Sequence, residues 1–138
     1  MTRLPETENT PVLRTDFLDE AAWVGVCAAI VRPVGEFRAY VDFVDDGQYE
    51  GVATQQILSL IPMDYRHSLI FVVDRETLNH PDQPILVVDL SEDSGRSFRV
   101  IPSEMWSVQN NLSLANMDFE EFAESVDPDG IFRGFRDP

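Results

Sequence analysis

Two short apolar runs in the middle of the chain constrain its fold more than any other feature. Residues 69–73 read Leu-Ile-Phe-Val-Val, residues 85–88 read Ile-Leu-Val-Val, and each run ends in an aspartate, Asp74 and Asp89. Runs of this kind are too apolar to face water on either side and too short to cross a bilayer. They are therefore predicted to form the central strands of one buried sheet.

The connection between these two strands, residues 75–84, is short. A parallel strand–helix–strand crossover needs at least about 10–12 residues in total. A single helical turn over residues 75–78 gives a tight parallel crossover, and an antiparallel pair is the alternative. We favour the parallel crossover.

The segments on either side alternate between strand and helix patterns. Strands are predicted at 12–16, 37–44 and 97–101, and helices around Trp23, over 53–61, after Ser103, and after Asp118. Early alternation of this kind indicates a layered α/β fold. The prediction is a mixed sheet of about five strands, with a parallel core and a C-terminal antiparallel hairpin, packed by three to four helices.

A chain of 138 residues suits one domain. Residues 1–11 have little to bury and are predicted to be a flexible acidic tail, which leaves residues 12–138 as a single α/β domain. The polar N-terminus shows neither a signal peptide nor a membrane-spanning run, so a cytoplasmic location is expected. Cys27 lies among small apolar residues and is predicted to be buried rather than nucleophilic.

The charge of the chain is strongly negative. It has 25 acidic and 10 basic residues, all ten of them arginine, which gives a net charge of −15. Such a field repels nucleic acid and anionic membranes and attracts a basic protein partner. The plainer interpretation is that the charge keeps the protein in solution.

Aspartates follow several predicted strands: Asp16, Asp45 or Asp46, Asp74 and Asp89. If these strands are parallel, the carboxylates gather at the edge where open α/β sheets bind ligands. They would suit Mg²⁺, and so a metal-assisted hydrolase or a phosphoryl-transfer enzyme. Against this stand the lack of lysine and of a glycine-rich phosphate loop, and the common use of aspartate in turns.

Other candidate motifs are incomplete. Aligning Gly130 with the sixth position of a calcium loop puts Ser125 first and Arg136 twelfth, where acidic ligands are needed. His67 and His80 form no metal-spaced pair, and no nucleophile elbow is present. No catalytic residue is therefore assigned.

Three stretches, residues 13–17, 98–119 and 127–135, carry a recognisable pattern. They begin Leu-Arg-Thr-Asp-Phe, Phe-Arg-Val-Ile-Pro-Ser-Glu-Met-Trp and Asp-Pro-Asp-Gly-Ile-Phe-Arg-Gly-Phe. In these stretches the chain resembles a family of small acidic bacterial proteins with no assigned function. The resemblance implies a bacterial, cytoplasmic, single-domain protein and supplies no activity.

These observations favour a non-enzymatic acidic interaction module, such as an immunity-like protein that neutralises a basic partner. The alternative is the enzyme that uses Mg²⁺ and the strand-end aspartates; the module itself needs no cofactor. An exposed sheet edge would also permit a homodimer. The residues predicted to bind a partner are Asp45, Asp46, Glu92, Asp93, Phe132 and Phe135.

Overall fold

The two apolar runs lie side by side at the centre of a mixed sheet. The computed structural model describes residues 1–91 and 94–136, and these form six strands in the order β2-β1-β3-β4-β5-β6. The strands are β1 Thr10–Arg14, β2 Val41–Val44, β3 Leu69–Val73, β4 Ile85–Asp89, β5 Ser97–Val100 and β6 Ile131–Phe132. The predicted mixed α/β sheet is confirmed, with one strand more than the expected five.

Five helices surround the sheet in the described residues. They are α1 Glu20–Val31, α2 Thr54–Ser59, α3 Arg75–Asn79, α4 Met105–Ser113 and α5 Phe119–Ala123. Single 3₁₀ turns at Gly47–Tyr49 and Pro102–Glu104 complete the regular structure. None of the helices in this part of the chain combines the length and apolar character needed to cross a bilayer.

The direction of β4 differs from the expectation. Strand β1 is parallel to β2 and to β3, as predicted, but β3 and β4 are antiparallel, with Ile70 opposite Val88. The predicted parallel crossover is therefore wrong. The connection holds only the five-residue α3, so the chain turns back beside β3 rather than travelling its full length first.

Both faces of the central strands are buried, which explains why their sequences are mostly apolar. Val12 and Phe71 face a core built with α1, α4 and α5. Leu13 and Ile70 face a second core built with α2 and the N-terminal segment. Each fully buried side chain of this size contributes roughly 1.5–3 kcal/mol relative to an exposed one.

Helix α1 has clear start and stop signals. The Asp19 carboxylate accepts a hydrogen bond from the Ala22 N–H at 2.9 Å, which caps the first turn. The helix ends at Arg32 because the following Pro33 disfavours helical backbone there. Its buried residues, Trp23, Val26 and Ile30, recur at helical spacing.

The N-terminal segment packs on the domain. Leu4 is 3% exposed and its N–H donates to the Leu60 carbonyl at 2.9 Å. The buried Tyr49 hydroxyl lies 3.1 Å from the Thr2 carbonyl oxygen and 3.0 Å from that of Arg3, and donates to them. Since β1 begins at Thr10, the predicted boundary before Val12 falls inside a strand.

Removing the Tyr49 hydroxyl is expected to release this segment. Tyr49→Phe should lower the free energy of unfolding by about 1 kcal/mol, because two carbonyl oxygens lose their donor. Trypsin should then cut after Arg3 several-fold faster, as followed by mass spectrometry. Tyr40→Phe, at a half-exposed tyrosine, is the control. Equal cleavage rates in the wild type and Tyr49→Phe would show that the hydroxyl does not anchor the segment.

Candidate functional site

Three of the predicted aspartates share one edge of the sheet. Asp45 and Asp74 follow β2 and β3 directly, and Asp16 lies two residues after β1. These strands are parallel, so their C-terminal ends meet at a common edge. Asp89 instead pairs with Leu69 at the start of β3, at the opposite edge. The predicted group of four is wrong at Asp89, because it required a parallel β4.

A buried arginine organises this edge. The Arg14 side chain is 3% exposed, and its Nη2 and Nη1 lie 2.8 Å from Glu20 Oε2 and 3.2 Å from Asp45 Oδ1. Its Nε donates to the Asp16 carbonyl at 3.0 Å. The guanidinium also stacks near two aromatic rings, with its carbon 4.3 Å from the Phe17 centroid and 4.9 Å from that of Trp23.

These contacts keep Arg14 charged. Burial acts to lower its pKa, but the hydrogen bonds with Glu20 and Asp45 outweigh it, so the pKa of Arg14 is raised. Sequence reasoning treated Arg14 only as part of a strand and missed this role. The available signal was an arginine directly after the apolar residues Val12 and Leu13, with Asp16, Asp19 and Glu20 following it in the sequence.

Asp74 is held by a second arginine. Its two carboxylate oxygens accept from Arg99 at 3.0 Å and 2.8 Å, a bidentate pair. Arg99 also pairs with Glu76. Asp74 further caps α3 by accepting from the Thr77 N–H at 3.1 Å. Burial would raise the pKa of Asp74, but Arg99 and Thr77 outweigh it and lower that pKa.

The geometry does not supply a magnesium site. Asp45 and Asp74 each bind an arginine, and the Asp16 carboxylate accepts from the Leu18 N–H at 3.0 Å. Across residues 1–91 and 94–136, no group of three or more histidine, cysteine, aspartate or glutamate side chains is placed to hold a metal ion. The strand-end aspartates act instead as caps and arginine ligands.

The remaining feature of this edge is its charge. Residues 14–20 and 45–50 contain six carboxylates and one arginine, Arg14. The two segments are joined by the Gly51 N–H, which donates to the Thr15 carbonyl at 2.8 Å. We call the six carboxylates the acidic edge: Asp16, Asp19, Glu20, Asp45, Asp46 and Glu50. Five are exposed and Asp16 is partly exposed.

The other predicted partner residues have different surroundings. Phe132 is fully buried in β6, so it cannot contact a partner, and its assignment to a surface is wrong. Phe135 is 49% exposed and packs on Phe122 and Phe132, with centroids 5.2 Å and 4.9 Å away. Glu92 and Asp93 lie outside the described residues.

A cleft of about 480 Å³ lies where β1 and β3 begin. It is lined in part by Thr10, His67 and Gln109. The buried Gln109 amide donates to Thr10 Oγ1 at 3.2 Å, and His67 Nε2 lies 2.8 Å from the Thr7 carbonyl. These polar groups already have hydrogen-bond partners within the chain, so the cleft gives less direct support for a function than the acidic edge.

The fold and this edge define a mixed α/β domain with a strongly acidic end. The chain belongs to the family described as Domain of unknown function (DUF6924), whose model matches residues 9–135. The match spans all six strands and confirms the expected membership of an uncharacterised family. No curated protein matches the chain.

Truncation of Arg14 tests its structural role. Arg14→Ala should lower the free energy of unfolding by about 2–4 kcal/mol, because it removes two ion pairs and the packing under Phe17 and Trp23. Arg75→Ala, at an exposed arginine with no ion pair among the described residues, should cost under about 0.5 kcal/mol. Urea unfolding measures both, and similar losses would contradict the central role of Arg14.

Neutralising Asp74 should give a pH-dependent loss of stability. At neutral pH, Asp74→Asn should cost about 1–3 kcal/mol, because Arg99 loses its bidentate ionised partner and keeps only Glu76. The lowered pKa of Asp74 means that this contribution is present above the unfolded value of about 4 and is lost as the pH falls through the lower folded value. Urea unfolding at several pH values should show the two proteins converging in acid.

The exposed Asp64 offers a matched control for this substitution. Asp64→Asn should leave stability unchanged within about 0.5 kcal/mol at every pH. A gap between wild type and Asp74→Asn that persists unchanged below the folded pKa would contradict the ion-pair explanation.

Proposed function

We propose that this protein is a non-enzymatic acidic interaction module that binds a basic protein through the acidic edge. One observation carries the proposal: the single arginine within the edge, Arg14, is buried and already bound to Glu20 and Asp45. The positive charge of Arg14 is therefore buried away from solvent, while the carboxylates of the acidic edge are at least partly exposed. An approaching partner meets an excess of negative charge.

The edge is also ordered before any partner arrives. Arg14 fixes Glu20 and Asp45, and Asp46 accepts from the Gln48 N–H and side-chain amide at 3.1 Å and 2.8 Å. These hydrogen bonds lower the pKa of Asp46, so it remains ionised into mildly acidic solution. Carboxylates held in place bind with less loss of side-chain entropy.

An apolar side chain stands among these charges. Leu18 is 79% exposed and lies between Asp16 and Asp19 in sequence. An apolar residue surrounded by charged ones suits a protein partner, since interface anchors are often apolar groups enclosed by a polar rim. A partner with basic side chains around a small apolar pocket would match it.

The net charge of −15 would speed the encounter with such a partner and make the complex sensitive to salt. Nucleic acid and anionic membranes would be repelled. An immunity-like protein that neutralises a basic toxin fits this pattern.

We place the protein in the bacterial cytoplasm. Its single cysteine, Cys27, is partly buried, and burial, with a smaller effect from Asp45, raises the pKa of the thiol to about 11. A fold that needs no disulfide suits a reducing compartment.

The test removes charge from the edge without removing its caps. Asp19→Asn, Asp46→Asn and Glu50→Gln together should weaken binding to basic proteins at least about tenfold, because asparagine still caps while the field is reduced. The readout is a low-salt pull-down from the source bacterium, followed by calorimetry with the purified basic protein.

The matched control removes three charges elsewhere: Glu6→Gln, Glu8→Gln and Asp64→Asn. Both triple variants carry −12, because three negative charges are removed from −15. The control should bind within about threefold of wild type. Equal weakening by the two variants would mean that only net charge matters, and no retained basic protein would overturn the proposal.

A further inference from the structure

Helix α1 presents a second apolar face to solvent. Trp23, Val26 and Ile30 are buried against the sheet. The opposite side exposes a different set, Ala21, Val24, Gly25, Ala28 and Val31. Residues 21–31 contain no charged side chain, whereas the outer face of a surface helix is normally polar.

The apolar surface is concentrated in this part of the chain. Of the ten large hydrophobic residues found exposed in the described residues, six lie between positions 18 and 40. Val24 is 58% exposed and Val31 is 45% exposed. At the end of the helix, Val34 and Phe37 form a β-bridge and are also exposed. Apolar residues exposed in this number are a reason to look for an interaction surface at α1.

Gly25, at the middle of the exposed face, has no role within the chain that requires glycine. A Cβ placed there meets nothing within 4 Å, and its backbone is helical. Glycine inside a helix costs about 1 kcal/mol relative to alanine. Its benefit is that another backbone can approach closely.

We propose that the exposed face of α1 binds a second copy of this chain, with the two α1 helices antiparallel about a two-fold axis between Val24 and Gly25. This axis sets Val24 of each copy against Gly25 of the other, and Ala21 against Ala28. A larger side chain then faces the smallest one, and the alanines permit a short interhelical distance. Such an interface is self-complementary, as two-fold symmetry requires.

The local charge beside this face, in contrast to the net charge of the chain, favours a second copy over the basic partner proposed for the acidic edge. Arg32 follows α1, is exposed, and has no ion pair among the described residues. It would repel a basic protein. In the antiparallel pair, Arg32 of one copy comes within a helical turn of Asp19 and Glu20 of the other, both exposed. Opposed helix dipoles add to this attraction.

Sedimentation equilibrium of the purified protein is the test. A helix-pair interface is small, so a dimer with Kd of about 1–100 μM is expected for the wild type. Gly25→Leu should weaken the dimer at least about tenfold by blocking the approach, while its thermal stability as a monomer is kept or raised, because the Cβ position is open. Val24→Glu should do the same through charge.

Met63→Glu is the matched control, since Met63 is 90% exposed and receives the same added charge away from α1. It should leave the dimer Kd within about twofold of wild type. A monomeric wild type at about 500 μM would overturn the proposal. So would a dimer that persists in both Gly25→Leu and Val24→Glu, because the interface would then lie elsewhere.

This proposal shares Asp19 and Glu20 with the acidic edge, but the response to salt separates the two proposals. Two copies of charge −15 repel one another, so added salt should preserve or tighten the α1 dimer, whereas it should weaken a complex with a basic protein. A dimer that dissociates as salt is added would contradict an apolar α1 interface.

Discussion

The buried guanidinium of Arg14 is the constraint on which one end of the molecule depends. A charge removed from water must be paired and hydrogen-bonded, and Arg14 meets this need with Glu20 from α1, Asp45 after β2 and a carbonyl of its own loop. One side chain thereby ties the first strand to the first helix and to the edge strand. The same pairing fixes the carboxylates that face solvent.

The pattern recurs elsewhere in the described residues. Arg96 binds Asp89 and Glu120, Arg99 binds Asp74 and Glu76, and Arg133 binds Asp82, Asp127 and Asp129. In a chain with 25 acidic and 10 basic residues, each structural cation has to serve several carboxylates. Arginine can do so because its five donors spread over a planar fork, whereas a lysine ammonium is a compact point charge.

Sequence patterns within a few residues predicted those strands and helices that depend mainly on local interactions. The apolar runs of β3 and β4 were recognisable. The start of α5 was indicated by Asp118, whose N–H donates to the Glu121 carboxylate at 2.8 Å. The direction of β4 was not predictable in this way, because the length of the segment 75–84 alone left both directions open.

The candidate site was predicted only in part for a similar reason. Arg14 finds its partners 6 and 31 residues along the chain, so its role depends on tertiary contacts. Phe132 is buried as part of the two-residue strand β6. A strand this short gives no alternating pattern in the sequence from which its burial could be predicted. Asp45 and Asp74 were correctly expected at one edge because parallel strands bring their ends together. That rule needs the strand directions, so it failed at Asp89, which ends the antiparallel β4.

The short outer strands have a consequence for how the sheet behaves in concentrated solution. The sheet ends in β2, with four residues, and β6, with two. Each offers few free backbone groups to an incoming strand, and β2 also carries the charged Asp42. Strands of neighbouring molecules are therefore poorly able to pair with either edge and extend the sheet. The most apolar strands, which would favour fibrils if exposed, are kept in the interior of the sheet. The two edges of the sheet therefore offer little backbone to a second molecule.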